Sequence, residues 1–164
     1  MHMENLRNVT LVFLVKKNKG KITDICLAMK KRGFGVNRWN GVGGKLKIGE
    51  SIIEAAKRET KEEIGVFLDD VKKMAELSFY FPHNPAWNQM VHVYFAESWQ
   101  GEVEETEEMR PKWFSINELP YKEMWPDDIY WIPEVLKGNL LKAAFQFGQN
   151  DTVDKKEVNI VESI

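Results

Sequence analysis

One cysteine, Cys26, stands in a chain of 164 residues. With no second thiol to pair with it, an internal disulfide framework is excluded, and the chain suits a reducing compartment. The expected role of Cys26 is that of a small apolar residue in a strand. Long apolar runs are missing too. None would span a bilayer, and no secretory hydrophobic region precedes the first β-prone stretch. Neither sign of charge dominates, since 23 basic and 25 acidic side chains leave a formal charge of −2. General attraction to polyanions is therefore lacking, and neither polymeric nucleic acid nor a membrane is expected as a partner. Internal repeats, low-complexity tracts and linkers are also absent. What remains is a chain with 43% hydrophobic and 29% charged residues. It reads as one folded domain over residues 1–164, cytoplasmic and monomeric.

The most informative stretch runs from Gly41 to Val66, a glycine-rich turn followed by a helix and a glycine stop. Ser51 with Glu54 three residues on forms a capping box, and Gly65 suits a left-handed C-terminal turn. At about 100° per residue, Ile53, Ala56, Thr60 and Ile64 share the face expected to be buried. Glu54, Lys57 and Lys61 fall on the solvent side. Glu59, Glu62 and Glu63 gather into an acidic face, and Ala55 beneath it leaves room for something to approach. Three acids so close repel one another. Either they form a solvated surface, or a hard divalent cation with oxygen ligands makes use of them. Gly43 and Gly44 favour the cation, because glycine lets backbone approach a ligand closely.

Gly44, Glu50, Arg58, Glu59, Glu62, Glu63 and Gly65 match the Nudix box at seven fixed identities over residues 44–66, and the chain resembles that family there. Thr60 departs from the pattern, standing where an aliphatic residue is usual. It lies on the expected core face, so packing is affected more than chemistry.

Outside the box, Val9 to Val15 reads as a buried strand, Lys16 to Lys21 as a polar turn and Ile25 to Met29 as the returning strand. Lys30 to Gly35 is a basic loop whose cations are placed to hold phosphate oxygens. Val71 to Phe81 and Met90 to Trp99 read as paired strands. The long tip between them, residues 82–89, includes Trp87, which suits a functional loop or a cover for an apolar edge. Glu102 to Glu108 reads as a solvated acidic loop, with Glu108 opening a strand over Met109 to Phe114. Pro126-Asp127-Asp128 has the form of a first helical turn, with the acids complementing the helix dipole. That helix is expected to end at Lys137, before Gly138. Phe145, Phe147 and Val158 to Val161 suggest closing strands. Together these elements predict an α/β fold with a mixed sheet between helices.

Several further segments are similar to the mammalian-type MutT homologues, the oxidised purine nucleoside triphosphatases. They are residues 29–35, 38–41, 108–111, 124–128 and 145–147, including Met124-Trp125-Pro126-Asp127-Asp128. The resemblance implies the Nudix α/β/α sandwich. It also implies Mg²⁺-dependent hydrolysis of 8-oxo-dGTP, 2-hydroxy-dATP and related small nucleotides to monophosphate and pyrophosphate, with Mn²⁺ as a substitute metal. Carried over, it makes Glu59, Glu62 and Glu63, the side chain of Glu108 and the carbonyl of Gly43 the metal ligands. Arg58 would orient a helix glutamate, and Glu50 would brace the loop–helix junction. Thr10, Lys30, Asn40, Val42, Gly43, Gly44 and Lys45 match substrate-contacting positions. Trp125 would stack on the base beside Pro126, with Asp127 and Asp128 reading its edge and Phe79, Phe81 and Met90 walling the pocket. Glu63 and Glu108 are both candidates for the carboxylate that takes a proton from water. Two adjacent buried acids favour keeping one protonated, so that one donates and the other accepts. Two other functions fit the chain less well: hydrolysis of a different nucleoside diphosphate derivative, and non-catalytic nucleotide sensing. The tip at 82–89 differs in length from the mammalian form, which bears on sugar and base preference.

Overall fold

The computed structural model describes residues 6–164. In chain order the strands are β1 (Arg7–Asn18), β2 (Lys21–Lys30), β3 (Trp39–Asn40), β4 (Phe67–Leu68), β5 (Val71–Tyr80), β6 (Gln89–Ala96), β7 (Trp99–Gln100), β8 (Met109–Ser115), β9 (Leu140–Phe147) and β10 (Val153–Val161). Helix α1 (Ile52–Ile64) lies between β3 and β4, and α2 (Asp128–Leu136) between β8 and β9. The large sheet runs β10-β9-β5-β6-β1-β2-β3, with β8 on β2, while β4 and β7 pair separately. It is mixed, because β1–β6 and β5–β9 are parallel.

Alternation along β1 explains the layers. Val9, Phe13 and Val15 enter a core with Trp131, Ile132 and Val135 of α2, together with Leu77, Val93 and Phe145. Val12 and Leu14 enter a second core with Ala56 and Ile64 of α1, Cys26, Ala28 and Met109. Successive strand side chains point to opposite faces, so one strand supplies both cores and each helix covers one face. Cys26 is 5% exposed, and burial pushes its thiol up to about 12.

Helix α1 has the expected ends. Ser51 Oγ accepts from the Glu54 N–H at 3.1 Å, the Glu54 side chain reaches back to the Ser51 N–H, and Gly65 takes φ 81°. The buried stripe is rotated from the expected one. Ile53 is exposed, while Ala55, Ala56, Thr60, Glu63 and Ile64 are buried. The helix turns Ile52 and Glu63 inward because the glycine turn packs over Glu63. Thr60, fully buried, donates to the Ala56 carbonyl at 2.7 Å. The polar turn is also tighter than expected, since β1 and β2 extend to Asn18 and Lys21 with left-handed Lys19 and Gly20 between them. Asp127 precedes α2 without capping it, and its side chain makes no cap hydrogen bond.

Candidate active site

Two features share one end of the sheet: an acidic cleft where the glycine turn meets α1, and a cavity of about 330 Å³ on the α2 face. The glycine turn runs antiparallel to β1. The Val12 N–H donates to the Val42 carbonyl at 2.6 Å and the Thr10 N–H to the Gly44 carbonyl at 2.9 Å. At Gly43 only glycine fits, and at Gly44 a side chain would displace Glu59. A Cβ on Gly43 would lie 1.8 Å from the Thr10 carbonyl oxygen, and one on Gly44 would lie 2.7 Å from the Glu59 carboxyl carbon.

Glu63 is 6% exposed, and its Oε1 accepts from the Gly43 N–H at 2.8 Å. Burial pushes its carboxyl up to about 7, with the charges of Glu59 and Glu108 adding to the shift and the Gly43 N–H and Lys30 opposing it. Glu59 is half-buried beside Gly44 and is also pushed up by burial, against the pull of Arg58. Arg58 organises the cleft. It grips Glu50 with two hydrogen bonds, Nε to Oε2 at 2.7 Å and Nη2 to Oε1 at 2.9 Å. It also donates to Glu59 at 2.8 Å, Glu62 at 3.2 Å and the Lys45 carbonyl at 3.0 Å. Glu50 in turn accepts from the Lys47 N–H at 2.9 Å. Its carboxyl is held down at about 2, chiefly by Arg58. Such a bidentate pair fixes geometry as well as charge.

Glu108 is half-buried on the facing loop and ion-pairs with Arg32, which lowers its carboxyl pKa. The same loop is fastened by Thr106, whose hydroxyl donates to the Glu63 carbonyl at 2.8 Å, and by Lys31, which donates to the Thr106 carbonyl at 2.6 Å. Among the described residues, no three acid, imidazole or thiol side chains already converge as a metal cage. Arg58 engages Glu59 and Glu62, Gly43 holds Glu63, and Arg32 draws Glu108 aside.

The cavity is lined by Thr10, Lys30, Asn40, Gly43, Gly44, Lys45, Phe79, Phe81, Trp125, Asp127 and Asp128, all of them sequence candidates. It therefore opens from the glycine turn to the start of α2. Asp127 and Asp128 are each 2% exposed, too deep for the solvated cap that the sequence suggests. Asp127 Oδ2 accepts from the Trp131 indole N–H at 2.8 Å. Asp128 Oδ2 is buried with no hydrogen-bond partner among the described residues. Burial pushes both carboxyls up, and the Asp127 charge pushes Asp128 further.

Three candidates fall elsewhere. Met90 faces away, lining a separate cavity of about 210 Å³ with Glu76 and Lys142. Neighbouring Gln89 and Val91 take the inward positions, the consequence of a period of two along β6. The Val42 side chain is buried in the α1-side core. Pro126 joins Trp125 to Asp127 without lining the cavity. Sequence reasoning gave no pocket role to Phe34, Gly35, Arg38 and Phe147, all of which line it, whereas Trp87, read as part of a functional loop or an edge cover, lines it as well. Phe34 lies 5.1 Å from the Trp125 ring and 5.2 Å from Trp87. These residues come from loops and strand ends far apart in the chain, where no local periodicity marks them.

Comparison with known proteins places this geometry. A family model described as a NUDIX domain matches residues 5–135. The chain is 39% identical over 161 residues to the oxidized purine nucleoside triphosphate hydrolase of Mus musculus, covering 98% of this chain and 99% of that one. It is 38% identical over 156 residues to the protein of the same name from Danio rerio, covering 95% and 96%. A crystal structure of a mutator MutT protein from Bacillus halodurans matches with a TM-score of 0.80 at 23% identity, over 94% of this chain and 98% of that one. That last likeness speaks for the fold alone.

Proposed function

Since the chain belongs to the NUDIX domain family and is a hydrolase of pyrophosphate bonds, we propose that its substrates are oxidised purine nucleoside triphosphates. It would cleave them to monophosphate and pyrophosphate and so clean the nucleotide pool. The observation that carries this reading is the buried pair Asp127–Asp128 at the end of an aromatic cavity that opens onto the glycine turn. A protonated acid beside an ionised one offers a donor and an acceptor side by side. A purine edge that satisfies both is bound, and one that leaves either unpaired is rejected. The two vertebrate relatives with this substrate in their names agree with it.

The acidic cleft fits a divalent cation by its chemistry. Its donors are hard oxygens, and Glu59 and Glu63 are both pushed up by burial and by neighbouring acids, a penalty that a bound cation relieves. Glu59, Glu62, Glu63, Glu108 and the Gly43 carbonyl would hold Mg²⁺, or Mn²⁺ in its place. When bound, the ion supplies charge neutralisation for the phosphates and acidifies water. Arg58 and Glu50 keep α1 and the glycine turn in register. Lys30 and Lys45 face the phosphate end of the cavity and hold anionic oxygens. Glu63, its Oε1 pinned by the Gly43 N–H, takes the proton from the attacking water, and Glu108 is the alternative base. The whole chain acts as one domain, a cytoplasmic monomer.

The test is pyrophosphate release with Mg²⁺, comparing kcat/KM for 8-oxo-dGTP, 2-hydroxy-dATP, dGTP and dATP. A preference of about 10²-fold for an oxidised base, roughly 2.7 kcal/mol in the transition state, is expected. Equal rates on all four would keep the hydrolase and refute the base reading.

A further inference from the structure

Arg38 enters the cavity from the loop before β3. Its guanidinium carbon lies 4.0 Å from the centroid of the Trp125 ring. Nη2 donates to Asp151 Oδ2 at 3.0 Å, and Nη1 is buried with no acceptor among the described residues. Asp151 sits in the turn between β9 and β10 at φ 58°, and Asn150 before it is at φ 63°. Two consecutive left-handed residues that are not glycine are a disfavoured choice. Here they turn the Asp151 carboxylate toward Arg38.

We propose that Arg38, held by Asp151, is a positioning residue for base selection: it fixes the plane of Trp125 and is a cation facing the buried pair Asp127–Asp128. The proposal rests on reading the cavity as the purine site. A base that stacks on Trp125 needs an indole whose tilt is already set, and a flat guanidinium over the ring sets it. A lysine ammonium carries the charge without the plane. The charge matters separately, because two adjacent buried acids would both tend toward the neutral form. A cation keeps one of them ionised, which preserves an acceptor beside the donor. Arg38 pulls both carboxyls down against their burial. The other groups around the pair are the Trp131 indole donor on α2 and Tyr121, whose phenol feels the Asp128 charge. Asp151 partly offsets Arg38 from the far side. The competing explanation is a plain ion pair tying the β9–β10 turn to the loop before β3. That role would affect stability alone.

The experiment uses the full chain and its R38M, R38K and D151N variants. Binding of 8-oxo-dGMP and dGMP is followed by tryptophan fluorescence without metal, from about pH 4 to 9 across the carboxylate and histidine range. The kcat and KM for the two triphosphates are then measured with Mg²⁺. Wild type must favour the oxidised base; if it does not, the assigned function fails whatever Arg38 does. Given that preference, R38M is expected to lose about tenfold of it, about 1.4 kcal/mol, which lies between an exposed and a desolvated cation–π contact and suits the half-buried Arg38. The loss should fall on KM while kcat stays within about twofold, and the pH range of tight binding should move upward. R38K should restore the pH range and not the preference. D151N should keep part of the preference, between wild type and R38M, while its pH range moves downward, because the charge that offsets Arg38 is gone. An unchanged preference and pH range in both R38M and D151N overturns the proposal, as does an equal loss for both nucleotides. A lysine that restored the preference would overturn the stacking argument. Should R38M fail to fold, D151N decides on the same two readouts, because it leaves the arginine in place.

Discussion

Two carboxyl environments divide the work at the scale of single residues. Glu63 is tied to the glycine turn by one short hydrogen bond from Gly43, so Glu63→Gln keeps the size and the acceptor oxygen while removing the base. A fall in kcat of about 10²-fold or more is expected, with nucleotide affinity retained in equilibrium binding; unchanged turnover would pass the role to Glu108. Asp127 and Asp128 are governed by burial and by each other. Their native pKa values lie above those of the unfolded chain. Between the unfolded value of about 4 and the raised native value, the native state therefore holds more protons than the unfolded state. Stability is greatest below that window and falls as pH rises through it, by up to about 1.4 kcal/mol per pH unit for each group. Asp128→Asn removes one such titration. Urea unfolding at about pH 4.5 and 7 should show a smaller decline than in wild type, and an identical decline would refute the account. These two acids also mark a limit of the sequence. Proline followed by two aspartates is the local pattern of a helix start, and it was the resemblance of the Met124–Asp128 segment, not that pattern, that pointed to their burial.

Single elements were legible in proportion to how local their determinants are. The ends of α1 follow from Ser51, Glu54 and Gly65, and all three act within one turn of themselves. Its buried face was set instead by what packs on it, so Ile53 is exposed and Glu63 buried. The glycine turn shows the same division, and its two central glycines should fail differently. Gly43→Ala drives a Cβ into the fixed Thr10 carbonyl and should cost about 3 kcal/mol or more in urea unfolding. Gly44→Ala meets only the movable end of the Glu59 side chain. It should fold with little loss of stability, yet lose most of its turnover because Glu59 is displaced. Equal stability of the two variants would refute the distinction. Met90 failed for a simpler reason, because a one-residue difference in register sends a strand side chain to the other face.

For the molecule as a whole, the resemblance carried by the Nudix box and the Trp125–Asp128 segment gave the family correctly, and the residues alone gave the hairpin pairings β1–β2 and β5–β6 but not the parallel ones. The parallel contacts of β1 with β6 and of β5 with β9 join segments about 80 and 65 residues apart, beyond the reach of any periodicity. They also bring the cavity walls together. The acids of the cleft lie close enough to raise one another's pKa, so the fold should gain from a divalent cation. At about 100 times its dissociation constant, Mg²⁺ should add roughly 2.7 kcal/mol and raise the unfolding temperature. Chelation should reverse the gain, and Glu59→Gln should blunt it; a midpoint indifferent to Mg²⁺ would count against the cleft as its site. The solitary thiol of strand β2 offers a separate view of the same stability. Cys26 is enclosed between β2 and the α1 layer and is held as the unreactive thiol, so an alkylating reagent reaches it only when that part of the sheet opens. Its modification rate is then a clock for opening, and anything that steadies the closed sheet, metal or nucleotide, should slow it.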